Sequence, residues 1–404
     1  MSTTQLPPFS TKALAAPALF FPQYDNPPRY DFDQGMPDPS TYPLEALQAC
    51  ADQVIKTQGQ AACGYFGLAG RSEMIYGYAG LRDSIASWVG KRDKLSLDRK
   101  NIMLMNGSAA GLSMIANALV GPGDGAIVES TTFPYMASFL ESTGATVFRA
   151  AVDSEGLVVE DAERCLREMK GQGLVPKLIY TIPTFHVPTG VLMPLARRQQ
   201  LLDLARCWNV YVVEDNCYNE LWYDQPTPPT LLSLEPGGRV IQSDSFSKML
   251  APGLRTGWVV ASPEVASMIG RMRPDLGVSQ FTSHVVNAWM ANGRLDEHLN
   301  RVRPLYRRKR DIAADALRRH CGAFVKFHVP QGGIFFWLEL APGIDGQKVR
   351  ETLLREGVAC RPGERFAGAT AENGYLRMSF LQVDEDEIER GVALLGQAFA
   401  AAST

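Results

Sequence analysis

From residue 101 onward, short apolar runs alternate with amphipathic stretches. The runs cover 102–105, 126–128, 178–180, 210–213, 240–241 and 258–260. Most end in a polar or Gly-rich turn, and a helix-spaced stretch often follows. Runs that are apolar throughout predict strands buried on both faces. Their alternation with helices predicts a mostly parallel sheet covered by helices. In such sheets ligands bind beyond the carboxyl ends of the strands. The distinctive polar residues fall at those ends. Asn106, Gly107, Ser108, Ala109 and Ala110 follow the first run, and Thr131, Thr132 and Phe133 the second. Residues 183–190 follow the third, Glu214, Asp215 and Tyr218 the fourth, and a turn with Ser245, Ser247, Lys248 and Arg255 the fifth. Independent surface loops would not share that placement, so the pattern predicts one large site.

The flanks read differently. Residues 1–44 are dense in proline, which excludes regular helix. Their large apolar side chains, Phe20 and Phe21 among them, predict an ordered arm laid over the body. Leu44, Leu47, Cys50, Ala51, Val54 and Ile55 have helical spacing. A Gly/Tyr-rich loop spans 64–80, with a helix after it. Residues 281–320 read as long helix, and the basic run 303–310 as its solvated face. Beyond 321, strands and helices alternate in a smaller α+β unit, with a last helix from Asp384. The expected organisation is an arm (1–44), a large domain (45–290), and a linking helix with a small C-terminal domain (291–404).

Composition narrows the class. A chain of 404 residues, 46% hydrophobic and 21% charged, is an ordinary globular protein of more than one core. A formal charge of −3 implies no basic face for nucleic acid. Seven scattered cysteines form no Cys-x-x-Cys pair, which points away from disulfides and structural zinc and toward a reducing cytoplasm. Residues 1–10 do not read as a secretory signal, and no apolar stretch approaches the roughly 20 residues of a membrane span. No Gly-x-Gly-x-x-Gly follows an early strand, so a simple dinucleotide enzyme is not supported.

The turn after the fifth run carries the chemistry. Two hydroxyls, an amine and a guanidinium together suit a phosphorylated aldehyde: the amine forms an imine, and the others hold the phosphate. Residues 107–110 open a helix whose first N–H groups are ready phosphate ligands. Taken alone, Lys248 reads better as a surface charge and Asp215 equally well as a helix N-cap, while an ordinary core residue is the lesser reading of Phe133.

The whole turn, 243–258, resembles almost residue for residue the pyridoxal-phosphate lysine motif of the class I and II aminotransferases, which are fold type I enzymes. The resemblance runs from about Gly35 to the last helix and is strongest to the aminoadipate-aminotransferase-like branch. It implies a large α/β domain with a mostly parallel, seven-stranded type of sheet, a small α+β domain, and a homodimer with sites at the subunit interface. It implies pyridoxal 5'-phosphate as cofactor and amino acids and keto acids as substrates. Lys248 is then the Schiff-base lysine. Ser108, Ala109, Ala110, Ser245, Ser247 and Arg255 cradle the phosphate. Asp215 meets the ring nitrogen, Tyr218 the ring oxygen, and Phe133 the ring face. Arg377 binds the substrate carboxylate, with Gly35 beside it, and a tyrosine from the 64–80 loop serves the neighbouring subunit. Tyr65 and Tyr76 are both candidates there, Tyr76 preferred.

One position departs from the family. Its usual Asn-Pro-Thr-Gly is here Val187-Pro188-Thr189-Gly190. Valine cannot donate to the ring oxygen, so Tyr218 holds it alone, or His186 turns in to help. His186 reads otherwise as a loop or subunit-contact residue. The expected reaction is amino transfer between an α-amino acid and a 2-keto acid. The alternative, prompted by Val187, is decarboxylation, oxidation, side-chain replacement or C–C bond formation on the same cofactor.

Overall fold

The computed structural model describes residues 27–65, 70–367 and 374–403. The start of the expected arm, with Phe20 and Phe21, lies outside the described residues. Seven strands form the large sheet: β1 (Ile102–Met105), β2 (Asp124–Glu129), β3 (Thr146–Ala150), β4 (Val175–Thr181), β5 (Tyr211–Asp215), β6 (Val240–Ser245) and β7 (Gly257–Val260). Their order is β1-β7-β6-β5-β4-β2-β3. All neighbours are parallel except β7, which runs antiparallel to both β1 and β6.

The continuous apolar runs have the expected cause. Successive side chains enter opposite faces, and both faces are covered. Met103 and Met105 join one core, while Ile102 and Leu104 join the other. Tyr180, Val213 and Ile241 likewise face one side, and Ile179, Val212 and Val240 the other. The edge strand β3 has no such run. Thr146 is exposed and Arg149 half-buried, because one side of an edge strand meets solvent.

The antiparallel β7 matters for the site. It brings its amino end, not its carboxyl end, to the edge where the parallel strands finish. Arg255 and Gly257 therefore join the residues that follow β1, β5 and β6. Gly257 allows the close approach. A Cβ there would lie 2.8 Å from the Gly107 carbonyl carbon and 2.9 Å from the Ser108 nitrogen.

A second sheet of β8 (Val325–Lys326), β9 (Phe335–Leu340), β10 (Arg361–Pro362) and β11 (Tyr375–Ser379) has the order β8-β9-β11-β10 and is antiparallel throughout. Residues Tyr30–Asp31 pair in parallel with Val358–Ala359 beside it. The expected long helix is two, Gln280–Met290 and α1 (Arg294–Cys321), separated by a kink at Asn292 (φ 62°). The basic run on α1 is not the expected solvated face. Arg307 and Arg308 are exposed, but Lys309 and Arg310 are buried and Arg303 lies over the Trp222 ring, 4.3 Å from its centroid. No helix among the described residues is long and apolar enough to cross a membrane.

Candidate active site

Ser108, Ala109, Phe133, Asp215, Tyr218, Ser245, Ser247, Lys248 and Arg255 line one cavity of about 450 Å³, together with Tyr135, Phe139, Ile182, Val187 and Cys217. Ala110 stands one residue further into the helix that Ser108 opens. Lys248 follows β6, and its Nζ donates to the Gly35 carbonyl. Burial pushes its amine down to about 8, and the Arg377 and Arg255 guanidiniums press the same way.

Asp215 ends β5. Its Oδ2 accepts a 2.8 Å hydrogen bond from the Tyr180 hydroxyl. Its Oδ1 is buried without a hydrogen-bond partner among the described residues. Burial pushes this carboxyl up. A cation beside Oδ1 would reverse that shift and satisfy the orphaned oxygen. Asp215 is thus no helix cap. Burial also pushes the Tyr218 hydroxyl up.

The side of the cavity expected to take a phosphate is built from backbone and hydroxyls. Gly107 (φ 84°) turns the chain from β1 into the helix Ser108–Leu119, so the amides of Ser108, Ala109 and Ala110 precede any intrahelical acceptor. Arg255 Nη2 donates to Asn106 O at 3.1 Å, and a Cβ on Gly107 would lie 2.6 Å from that nitrogen. Ser245 Oγ accepts from Ser247 N at 3.1 Å. These residues fit pyridoxal phosphate. The fit rests on a half-buried amine in the cavity, an orphaned carboxylate oxygen, and a cradle of helix-start amides, hydroxyls and a guanidinium that a side chain on Gly107 would fill.

Arg377 comes from β11. It is buried with its guanidinium 4.2 Å above the Phe335 ring, and that ring meets the Tyr218 ring edge-on at 5.8 Å. Its Nη2 donates to Asp33 O, and its Nε has no partner among the described residues. Burial pushes the guanidinium down to about 10. Tyr76 lies outside the cavity, stacked on the Arg82 guanidinium at 5.1 Å. Tyr65 is exposed.

His186 lies on the loop that follows β4 and is not among the residues lining the cavity. It is fully buried, with Nδ1 2.7 Å from Thr189 Oγ1 and Nε2 3.1 Å from Glu129 Oε2. Glu129 also accepts from Thr132 Oγ1, Thr181 Oγ1 and the Ile182 amide. Burial pushes the Glu129 carboxyl up, but His186 and the two hydroxyls outweigh it and hold it down. His186 thus braces the loop from behind while Val187 faces the cavity. Sequence reasoning missed Tyr180 and Glu129. Their signal was a polar group inside a buried strand, which requires a partner.

The family description "aminotransferase class I and II" matches residues 40–395. The chain belongs to the class I and II aminotransferases. Among members of that family, aromatic-amino-acid aminotransferase 1 of Thermococcus litoralis is 32% identical over 365 residues, which cover 90% of this chain and 86% of that protein. The 2-aminoadipate transaminase of Thermus thermophilus is 30% identical over 374 residues, covering 91% and 89%. The crystal structure of Pyrococcus horikoshii kynurenine aminotransferase, in complex with PMP, matches with a TM-score of 0.88 at 32% identity over 97% of each chain. The chain is a pyridoxal-phosphate-dependent aminotransferase of the aminoadipate-like branch. These likenesses support amino transfer over the other outcomes that Val187 raised.

Proposed function

We propose that the cavity at the carboxyl edge of the large sheet is where an α-amino acid gives up its amino group and a 2-keto acid receives it. The observation that carries this is the orphaned Asp215 Oδ1 in the same buried cavity as the depressed Lys248 amine. When bound, pyridoxal phosphate supplies a carbonyl that condenses with amines and a ring that accepts the electrons released by loss of an α-proton. Ser108, Ala109, Ala110, Ser245, Ser247 and Arg255 would hold its phosphate. Asp215 would serve the ring nitrogen, Tyr218 the ring oxygen, and Phe133 the ring face. Lys248 would hold the cofactor through its amine, and the same Nζ would take the substrate's α-proton and return it. Arg377 grips the α-carboxylate with its free Nε edge, and the Gly35 segment covers that side.

The division into a large domain (45–290) and a small one (291–404) is supported by the kink at 291–293. A homodimer is supported by a face beside the site. Asn106 bonds to Asp275 and Gly277 there, yet Leu276, Met272 and Ile75 are exposed. Tyr76 lies outside its own cavity, as a residue serving a partner's site would. All seven cysteines are free thiols, which suits a reducing cytoplasm.

The test is a half-reaction. Purified holoenzyme is mixed with single amino acids and no keto acid, and products are weighed by mass spectrometry. One equivalent of the matching keto acid per site is expected, and none with Lys248→Ala. Carbon dioxide release, or an oxygen requirement, would sink the reading.

A further inference from the structure

The small sheet places two arginines against each other. Arg361 on β10 lies directly opposite Arg377 on β11, so both side chains share one face. Both are buried, and two buried like charges repel. Asp33 stands between them and is itself buried. Its position is fixed by its neighbours. Phe32 N donates to Ala359 O at 2.9 Å, Ser379 N donates to Phe32 O at 2.7 Å, and Asp33 N donates to Asp31 Oδ1 at 2.9 Å.

The two arginines do not share this carboxylate equally. Arg361 Nε donates to Asp33 Oδ1, while Arg377 Nη2 stands 4.0 Å from the same oxygen, beyond hydrogen-bond range. Among the described residues Arg377 takes only the Asp33 backbone carbonyl. It lies over Phe335 and, at 4.9 Å, over Phe366, and its Nε has no partner among the described residues. Two guanidiniums and one carboxylate leave one positive charge, and an incoming carboxylate neutralises it.

We propose that Arg361 and Asp33 are positioning residues for substrate recognition: Arg361 ties up the Asp33 carboxylate and so keeps Arg377 open to the substrate's α-carboxylate. This rests on the role proposed above for Arg377. Without Arg361, the Asp33 carboxylate turns toward Arg377, whose Nη2 already stands 4.0 Å from Oδ1. A carboxylate tethered a few ångströms from Arg377 acts at an effective concentration on the order of millimolar or more and competes with substrate.

The test uses holoenzyme and the amino acid it turns over best. The α-methyl analogue of that amino acid, which has no α-proton to lose, serves as an equilibrium probe read by absorbance. Arg361→Gln is expected to raise KM and the probe's Kd about tenfold or more, with kcat within about threefold of the wild type. Adding Asp33→Asn removes the competitor, so the double variant returns both constants to within about threefold. A merely structural pair would move kcat together with KM in Arg361→Gln, because a displaced β10 disturbs more than carboxylate binding. Should Arg361→Gln fail to accumulate, Arg361→Lys keeps the charge but loses the planar fork. Its smaller rise in KM should again fall when Asp33→Asn is added. Unchanged constants in Arg361→Gln, or no rescue by Asp33→Asn, would overturn the proposal. Arg377→Gln separates the two levels. If it leaves KM unchanged, the role of Arg377 itself fails. If it raises KM where Arg361→Gln does not, only the positioning role fails.

Discussion

A lysine in water holds its proton to about pH 10.4. The Lys248 amine, withdrawn from water and influenced by the Arg377 and Arg255 guanidiniums, holds it only to about 8. The neutral amine is the nucleophile, so apoprotein should capture pyridoxal phosphate faster as pH rises to about 8 and no faster above it. Stopped-flow absorbance checks this; a rate still climbing near pH 10 would mean an ordinary lysine. Tyr180 acts one bond further back. Tyr180→Phe leaves Asp215 Oδ2 buried without its donor, an error of about 1–3 kcal/mol. The expected result is weaker cofactor retention, about tenfold by equilibrium dialysis, with the fold unchanged by circular dichroism. Equal retention would show that the hydroxyl does nothing for Asp215. The difference in legibility between these residues is one of distance. Ser245, Ser247, Lys248 and Arg255 fall within one turn, so their chemistry could be read from the chain. Tyr180 meets Asp215 across 35 positions and Arg361 meets Asp33 across 328, and no local pattern encodes such a meeting.

At the scale of elements, the parallel strands were legible because burial on both faces makes them apolar at every position. The direction of β7 was not, since an antiparallel strand buried on both faces has the same pattern. Nor was the inward turn of the basic run on α1, because Lys309 looks like its solvated neighbours. Its Nζ lies 2.6 Å from Asp38 Oδ2 and 2.9 Å from the carbonyls of Leu381 and Val383. That ties the segment covering Gly35 to α1 and to the chain after β11. Lys309→Met keeps the bulk and removes the ammonium. It leaves a buried carboxylate unpaired, at a cost of about 3–5 kcal/mol at neutral pH. Burial pushes the Asp38 carboxyl up, but Lys309 and Ser40 outweigh it and hold it below the usual range. A depressed carboxyl stabilises the fold above its unfolded value, near 3.9, and that contribution is lost as pH falls through the folded value. The gap between variant and wild type in urea melts should therefore be full at pH 7 and shrink below about pH 4. A gap that does not change with pH would mean that Lys309 contributes by packing alone.

At the scale of the whole molecule, Leu276 is a residue that the described part of its own chain does not explain. It is 67% exposed and sits at φ 54°, a left-handed conformation that costs a branched apolar side chain on the order of 1 kcal/mol or more. A strained, exposed leucine next to the loop that holds Asn106 makes sense if a second copy covers it. The arrangement then couples assembly to chemistry, because the same loop borders the phosphate cradle. Leu276→Glu places a charge in that contact without disturbing a buried position. The variant should elute as a folded monomer at micromolar concentration where the wild type is a dimer. Its cofactor occupancy and amino-transfer rate should fall at least tenfold and recover as protein concentration rises, since mass action restores the dimer. A wild type that is monomeric in sedimentation, or a monomeric variant with full activity, would show that each chain completes its own site and that Tyr76 serves no partner.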